Sequence, residues 1–402
     1  MTYAGPAATH AGPAGDPAGP GAYVLDPAGP GAYVLGVDSG GSGLRVALGR
    51  VEEPGPLATT VCAEPVRTGP GGIDAGHLLD QLLPAARELL DRASAAAPTG
   101  AGSDAARALG TPADGASAGA VAAVAIGAAG MATLGDRLRA ELPGALADAL
   151  GVRRVALAAD AVTAYAGAVG QRPGAVVAGG TGMIALGTDL KEWHRADGWG
   201  HLLGDSGGGA WIGRAGLDAA MRAHDGRGGG SAALLDRLRA VFGPAEELPG
   251  LLYPRSDRPA VLASFAPEVA ACAGADPVAS GILRQAAGHV AEAAAAVCPA
   301  PAGPDGDPDE GDGAGEVALT GGLFRMGEPL LGPLREELAR LLPGARVTVA
   351  SGDPLTGALR IAHALAAGDL RLPRHPTMLF VPLEQGTGQR ADPVVRDEPR
   401  PE

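Results

Sequence analysis

Two short segments of this chain share one pattern: an apolar strand, a glycine-rich turn with one hydroxyl side chain, and a second apolar strand. They span residues 35–48 (LGVDSGGSGLRVAL) and residues 175–187 (AVVAGGTGMIALG). Several glycines in a turn let backbone N–H groups approach phosphate oxygens, because no Cβ stands in the way. A strand follows each turn where a Rossmann fingerprint would place a helix, so each segment is predicted to be a hairpin. Either hairpin alone is compatible with an ordinary turn, but the pair predicts two related halves that grip a polyphosphate across a cleft.

The segments around these hairpins repeat one order of elements. In the first half, strands are predicted at 33–37, 44–48, 57–62, 121–126 and 152–157, and helices at 78–90 (interrupted at Pro84), 134–150 and 161–170. In the second half, strands are predicted at 175–178, 183–186, 317–319 and 346–349, and helices between 210 and 297, at 329–342 and at 355–367. This repeat predicts an α/β protein with two domains, residues 33–172 and 173–375.

The remaining stretches have low-complexity or polar composition. Residues 16–25 (DPAGPGAYVL) recur unchanged as residues 26–35. Because an Ala/Gly/Pro-rich segment buries too little apolar area to offset chain entropy, residues 1–32 are predicted to be a disordered tail. Residues 376–402 are predicted to be a C-terminal tail, and the stretches 95–119 and 299–316 to be surface insertions. The alternatives are a regulatory role for the first tail and a calcium site in the acidic insertion, which lacks the ligand spacing of an EF-hand.

Charge and composition exclude several classes of function. A formal net charge of −14 argues against a nucleic-acid partner, because such binding depends on clustered Lys and Arg. Lys191 is the only lysine and no Gly-Lys pair occurs, which excludes a P-loop. No apolar run is long enough to span a membrane and no signal peptide is expected, so a membrane partner is not predicted. Three cysteines without paired spacing fit reduced thiols in the cytoplasm, the predicted location.

Two further motifs lie in the second half. Residues 317–326 (VALTGGLFRM) place a Gly-Gly pair directly after an apolar strand, and residues 198–213 (GWGHLLGDSGGGAWIG) combine glycines, two tryptophans and an aspartate. A sugar site favours such a set, because a carboxylate accepts hydrogen bonds from hydroxyls and an aromatic ring covers the C–H face. The alternatives are a common turn for Gly-Gly and a core position for Trp199. His194 and His201 lack a second ligand at metal spacing and are expected to be surface or supporting residues.

Asp160 is the candidate catalytic residue. It follows a predicted strand and precedes a predicted helix, so it lies where α/β sheets present ligands. Phosphoryl transfer to an alcohol needs a group that accepts the hydroxyl proton, and Asp160 is predicted to be that base. A helix N-cap is the alternative role, since Asp caps helices well. Asp38, at the end of the first strand, is predicted to hold Mg²⁺ directly or through water.

Together these motifs resemble those of the actin-like ATPase superfamily, which includes acetate kinase, sugar kinases, heat-shock-70 proteins and actin. Residues 198–213 are similar to the G-W-G-x-x-x-G-D-E-G-S segment of N-acetylglucosamine kinases and their BadF/BadG/BcrA/BcrD ATPase relatives. The resemblance implies two actin-like (ribonuclease H-like) domains with a cleft between them, and ATP and Mg²⁺ as cofactors. It implies nucleotide contacts at Asp38, Gly40, Gly41, Ser42, Gly180, Thr181, Gly182, Gly321 and Gly322, sugar contacts at Gly198, Trp199, Gly200 and Asp205, and catalysis by Asp160.

Three positions depart from the family's pattern, all on the substrate side. Met183 replaces Ser in G-T-G-S, Ser206 replaces Glu in D-E-G-S, and Gly72 stands at the Asn of G-P-x-N. The expected function is an ATP-dependent sugar kinase acting on the 6-hydroxyl of N-acetylglucosamine or a related aminosugar, with the sugar left open. The alternative is a nucleotide-binding ATPase of the BadF/BadG type that acts as activator or sensor without sugar transfer. A homodimer is the working expectation for an oligomeric state that the sequence does not decide.

Overall fold

The computed structural model describes residues 31–40, 43–69, 72–96, 120–300 and 315–382. Most of the predicted tails and insertions, and both Gly41 and Ser42, therefore lie outside the described residues. The strands are β1 (Tyr33–Gly40), β2 (Gly43–Arg50), β3 (Ala58–Cys62), β4 (Thr68–Gly69), β5 (Gly72–Ile73), β6 (Val121–Ala128), β7 (Arg154–Ala159), β8 (Gly174–Gly179), β9 (Met183–Thr188), β10 (Trp193–Asp197), β11 (Glu316–Thr320), β12 (Arg346–Val349) and β13 (Leu379–Phe380).

Helices occur in both halves of the chain. They are α1 (Ala75–Ala96), α2 (Met131–Leu134), α3 (Asp136–Leu150), α4 (Asp160–Ala168), α5 (Gly209–His224), α6 (Ala232–Phe242), α7 (Leu248–Leu252), α8 (Arg258–Ser264), α9 (Ala266–Cys272), α10 (Pro277–Val297), α11 (Glu328–Leu341) and α12 (Pro354–Ala367). Among these described helices, none combines the length and the apolar character that crossing a membrane requires.

Two sheets share one strand order. The first sheet runs β3-β2-β1-β6-β7-β13, and the second runs β10-β9-β8-β11-β12. In the first sheet, β1, β2 and β3 are antiparallel neighbours, β6 and β7 run parallel to β1, and β13 pairs with β7 at the edge. In the second sheet, β8, β9 and β10 are antiparallel neighbours, and β11 and β12 run parallel to β8. The duplication predicted from the order of elements is confirmed, and with it the α/β fold of two actin-like halves.

The strand ends place the predicted motifs at corresponding edges of the two sheets. In the first sheet, β1 ends at Gly40, and α4 begins at Asp160 directly after β7. In the second sheet, β8 ends at Gly179 and β11 ends at Thr320. Because the carboxyl ends of parallel strands meet at one edge, the glycine turns and Asp160 come from the edges where α/β sheets bind ligands.

Two predicted helices differ from those observed. Helix α1 continues through Pro84, because its buried stripe of Leu78, Leu82 and Leu89 packs on the first sheet and outweighs the one hydrogen bond that proline removes. The predicted helix at 134–150 is found as α3 but begins at Asp136, because Leu134 is the last residue of α2 and Gly135 separates the two helices. A Cβ at Gly135 would collide with the carbonyl oxygen of Met131, so glycine permits the turn between α2 and α3.

The last helix packs with the first half of the protein. Helix α12 contacts α4 and the strands β1, β2, β6 and β7, and β13 pairs with β7. A Cβ at Gly36 would lie 2.5 Å from the backbone nitrogen of Leu359, so glycine allows β1 and α12 to approach this closely. The first core therefore includes residues from the C-terminal end of the chain. The domain limits at 172/173 and 375 remain a prediction.

Candidate active site

A cavity of about 500 Å³ opens between the two halves, at the strand ends of both sheets. The first half contributes the start of α4, and the second half contributes its two glycine turns and the loop after β10. Residues singled out by sequence that line this cavity are Asp160, Gly180, Gly182, Met183, Gly198, Asp205, Gly321 and Gly322. One space thus contains parts of the predicted base, phosphate turn, adenosine turn and sugar loop.

The β8–β9 turn is held by the start of α5. Gly209 N–H donates to the carbonyl oxygen of Gly180 (2.9 Å), and Ala210 N–H donates to that of Thr181 (2.8 Å). Within the described residues, the N–H groups of Thr181 and Gly182 have no hydrogen-bond partner. A Cβ at Gly180 would meet no atom within 4 Å, so bare backbone faces the open space. Such a cradle of fixed N–H groups suits phosphate oxygens.

The β1–β2 hairpin contains charged side chains, among them Asp38 and Arg45, whereas the β8–β9 hairpin contains none. The buried Asp38 accepts two hydrogen bonds on Oδ2 from Arg45, from Nε at 3.0 Å and from Nη2 at 2.5 Å. Arg45 Nη1 donates to Asp353 Oδ2 at 2.5 Å, and Asp353 caps the start of α12. The guanidinium therefore pairs with Asp38 and ties it to both β2 and α12. Asp38 and Gly40 are not among the residues that line the cavity.

Asp160 is the first residue of α4, and Ala159 occupies the N-cap position. The Asp160 Oδ1 accepts a hydrogen bond from Ala161 N–H at 2.8 Å, which fixes the direction of the carboxylate. Asp160 is exposed towards the cavity, and the protein around the rest of the carboxylate removes it only partly from water. This partial removal from water raises the pKa of Asp160, and the negative charge of Asp38 raises it further, whereas the hydrogen bond from Ala161 N–H and the positive charge of Arg195 lower it. A carboxylate with a raised pKa is a stronger proton acceptor.

The loop after β10 is fixed by two aspartates with left-handed backbone conformations, Asp197 (φ 59°) and Asp205 (φ 56°). Asp197 accepts hydrogen bonds from the N–H groups of Asp205 (2.6 Å) and Ser206 (2.9 Å), which closes the loop. Asp205 Oδ1 accepts from Gly200 N–H at 3.2 Å, and its carboxylate packs where a Cβ on Gly182 would collide with it. Burial, together with the charge of Asp197, raises the pKa of Asp205. Asp205 thus joins the predicted sugar loop to the phosphate turn.

Trp199 lies on the surface at the rim of the cleft. Its side chain is 62% exposed, which excludes a core position. The guanidinium carbon of Arg195 lies 4.3 Å from the centroid of the Trp199 ring. Arg195 also donates from Nε to the carbonyl oxygen of Asp197 (3.0 Å) and from Nη2 to that of Gly198 (2.5 Å). Neither Trp199 nor Gly200 lines the cavity.

The Gly-Gly turn after β11 leads to a second cavity. A Cβ at Gly321 would collide with the carbonyl oxygen of Gly179, whereas a Cβ at Gly322 would meet no atom within 4 Å. The second cavity, of about 420 Å³, shares Thr320 and Gly321 with the first and is also lined by Phe324 and Arg325. The two spaces therefore adjoin at this turn.

The fit of the site to a nucleotide and Mg²⁺ can be judged from the groups that it offers. The described residues contain no cluster of three or more His, Cys, Asp or Glu that could hold a metal by itself. Mg²⁺ at nucleotide sites takes one or two carboxylates and completes its shell with phosphate and water. Asp38, the predicted Mg²⁺ ligand, pairs with Arg45 through Oδ2 and does not line the cavity. The fit to a nucleotide therefore rests on the space left by absent side chains at Gly180 and Gly322, a cradle that a Cβ would fill.

Sequence reasoning missed two residues of the candidate site. Asp197 stands directly before the GWG motif and Arg195 two positions earlier, so charged neighbours of a motif were the available signal. Gly72 has a φ of 91°, and a Cβ there would collide with the carbonyl oxygen of Leu134, so packing accounts for its glycine. His194 is paired at the surface with Glu192 (3.6 Å), as expected of a residue outside the site.

A duplicated sheet with a glycine turn in each half and a cleft between the strand ends defines the actin-like class of ATPases and sugar kinases. The chain belongs to the BadF/BadG/BcrA/BcrD ATPase family, whose sequence profile matches residues 35–359. The resemblance identified from the motifs is therefore confirmed.

Known proteins agree with this assignment. The fold is similar to that of a candidate N-acetylglucosamine kinase from Chromobacterium violaceum, with a TM-score of 0.57 and 26% identity over 83% of this chain and 99% of that one. A candidate N-acetylglucosamine kinase from Porphyromonas gingivalis shares the fold at a TM-score of 0.54 and 16% identity, over 83% and 98% of the two chains. The N-acetylmuramic acid/N-acetylglucosamine kinase of Clostridium acetobutylicum is 44% identical over 71 residues, which is 17% of this chain and 23% of that kinase.

Proposed function

We propose that this protein is an ATP-dependent kinase that phosphorylates the 6-hydroxyl of N-acetylglucosamine or a related aminosugar. The observation that carries the proposal is one cavity lined by Asp160, Gly180 and Asp205. Phosphoryl transfer to an alcohol requires a proton acceptor, a phosphate cradle and groups that orient the acceptor in one space. Membership of an ATPase family supports the same reading.

In this proposal the nucleotide lies along the second half of the cleft. Its phosphates contact the N–H groups of Thr181 and Gly182, and its base passes Gly321 into the second cavity. Phe324 and Arg325 line that cavity, and an aromatic ring and a guanidinium are groups that stack on a flat base. Asp38 would hold Mg²⁺, which when bound offsets the charge of the phosphate oxygens.

Asp160 acts as the general base. The oxygen of the sugar's 6-hydroxyl forms a bond to the γ-phosphorus, its proton passes to Asp160, and the bond from the γ-phosphorus to the bridging oxygen of ADP breaks. The hydrogen bond from Ala161 N–H orients the carboxylate towards the cavity. The pKa of Asp160, raised by partial removal of the carboxylate from water, suits a group that must accept a proton near neutral pH.

The sugar is proposed to lie against the loop after β10. Asp205 accepts hydrogen bonds from sugar hydroxyls, the backbone of Gly198 and Gly200 approaches the ring, and Trp199 covers its edge from the rim. The relative from C. acetobutylicum is named for two acetamido sugars, N-acetylmuramic acid and N-acetylglucosamine. Met183, buried and in the cavity wall, offers an apolar surface where the family pattern has a serine.

The test is ADP release from the purified protein with Mg²⁺–ATP and a panel of N-acetylglucosamine, N-acetylmuramic acid, glucosamine and glucose. We expect an acetamido sugar to stimulate release, ³¹P NMR of the product to show a 6-phosphate, and Asp160→Asn to lose the stimulation. ATP binding without stimulation by any sugar would contradict the proposal and favour an activator or sensor ATPase.

A further inference from the structure

Acidic side chains outnumber basic ones among the described residues that line the cavity. Among the described residues that line it, Arg195 is the one basic side chain, and Asp160 and Asp205 are the acidic ones. Arg195 comes from β10, so it reaches the cavity from the second half, opposite the helix that carries Asp160. Its position was not indicated by any of the motifs.

Three contacts of Arg195 go to the loop that is proposed to hold the sugar. Nε and Nη2 donate to the consecutive carbonyl oxygens of Asp197 and Gly198, at 3.0 Å and 2.5 Å. The face of the guanidinium covers the ring of Trp199 at 4.3 Å. A planar guanidinium can make a forked contact and a stacking contact at once, whereas an ammonium group cannot. These contacts fix where the loop begins and where its tryptophan lies.

The charge of Arg195 also acts on Asp160. The charged groups around Asp160 are Asp38 from β1, Asp205 from the loop after β10, and Arg195 from β10. Asp38 disfavours the ionised form of Asp160, as does burial, and Arg195 opposes both effects. Without Arg195 the pKa of Asp160 would therefore be higher still. A base must be ionised to accept a proton, so replacing Arg195 would lower the activity at acidic pH.

We propose that Arg195 is a positioning residue that serves both parts of the acceptor site, holding the Trp199 loop by contact and stabilising the Asp160 carboxylate by charge. The inference rests on the proposed kinase function. A residue with a purely structural role would hold the Trp199 loop without any effect on Asp160.

The experiment compares Arg195→Met with Arg195→Lys in steady-state kinetics across acidic to neutral pH. Arg195→Met should raise the sugar KM about tenfold and move the acid limb of kcat to higher pH, since the loss of an opposite charge near a carboxylate raises its pKa. Arg195→Lys keeps the positive charge but cannot make both hydrogen bonds to the carbonyl oxygens of Asp197 and Gly198. The acid limb of kcat should therefore return towards wild type in this variant, while the sugar KM stays raised. Arg222→Met is the matched control, because Arg222 pairs with Asp218 on α5 outside the cavity.

An acid limb that is unchanged in Arg195→Met, or shifted equally in both variants, would overturn the proposal, as would an unchanged KM. If the wild-type protein turns over no sugar, the proposed function fails first, and the inference is then decided by ¹³C NMR titration of Asp160, assigned with Asp160→Asn. A higher titration midpoint in Arg195→Met than in wild type supports it, and equal midpoints overturn it. Circular dichroism of each variant checks that the fold is retained.

Discussion

The two halves of the cleft share a strand order and differ in what they offer a ligand. The first half presents the carboxylate of Asp160 at the start of α4. The second half presents bare backbone at Gly180 and Gly322, and a loop that is fixed by Asp197 and carries Asp205. In the proposed reaction a general base acts by taking a proton, whereas a glycine turn and a loop carboxylate act by binding a ligand. The two copies thus share a frame, and the proposal gives them different tasks, chemistry in the first and binding in the second.

The largest effect should come from the first half. A positioned general base contributes ~10²–10⁴-fold, so Asp160→Asn should lower kcat by about that factor, with ATP affinity close to wild type. The measurement is steady-state kinetics with the best sugar of the panel, together with calorimetry of ATP binding. Asn can keep the hydrogen bond from Ala161 N–H, so the variant separates loss of the base from loss of the helix start. Turnover within a few-fold of wild type would show that the base is another group.

A smaller effect of a different kind is expected at Asp205 in the second half. Its proposed contact is made with the sugar in the ground state as well as in the transition state, so Asp205→Ala should raise the sugar KM by roughly 10-fold or more and change kcat less. Asp197→Ala should give the same pattern by releasing the N–H groups of Asp205 and Ser206. If instead kcat falls and KM holds, the second half takes part in the chemistry and the comparison fails.

The phosphate turn should respond more weakly. A side chain at Gly180 would enter the open cradle, so Gly180→Val should weaken ATP binding by about tenfold, on the order of 1.4 kcal/mol. Calorimetry of Mg²⁺–ATP binding measures this. Gly144→Val is the matched control, since a Cβ at Gly144 in α3 also meets no atom within 4 Å but lies outside the cavity. Equal affinities in wild type and Gly180→Val would remove the turn from the nucleotide site.

The smallest effect is expected from the segments of low-complexity composition. Deleting residues 1–30, or shortening residues 301–314, should leave the melting temperature and the rate of ADP release nearly unchanged, because the length of a connection alters closure entropy only slightly. Extending the first deletion to residue 35 gives the contrasting variant, since it removes the buried Tyr33, Val34 and Leu35 of β1. A large loss on deleting residues 1–30 alone would assign them a function.

Sequence predicted the parts of the site that depend on local pattern. Glycines directly after apolar strands predict the turns at Gly180 and Gly321 wherever the rest of the chain lies. The contributions of Asp197 and Arg195 could not be found in this way, because they arise from hydrogen bonds and stacking with a loop whose path is set by tertiary packing. For the same reason Pro84 misled, since the burial of its neighbours on the first sheet outweighs the local cost of proline.

The close approach of Gly36 to Leu359 has a consequence for the order in which the chain folds during synthesis. The two residues are 323 positions apart. A ribosome therefore releases the second sheet and its helices before it supplies the helix that covers β1. The half that carries Asp160 is completed last, although its strands β1 to β7 are made first. We expect a chain that stops before residue 354 to contain the candidate site residues from 38 to 322. It should leave uncovered the buried Val34 and Ala47, which share the face of Gly36, and so make them available for association with other chains instead of for folding.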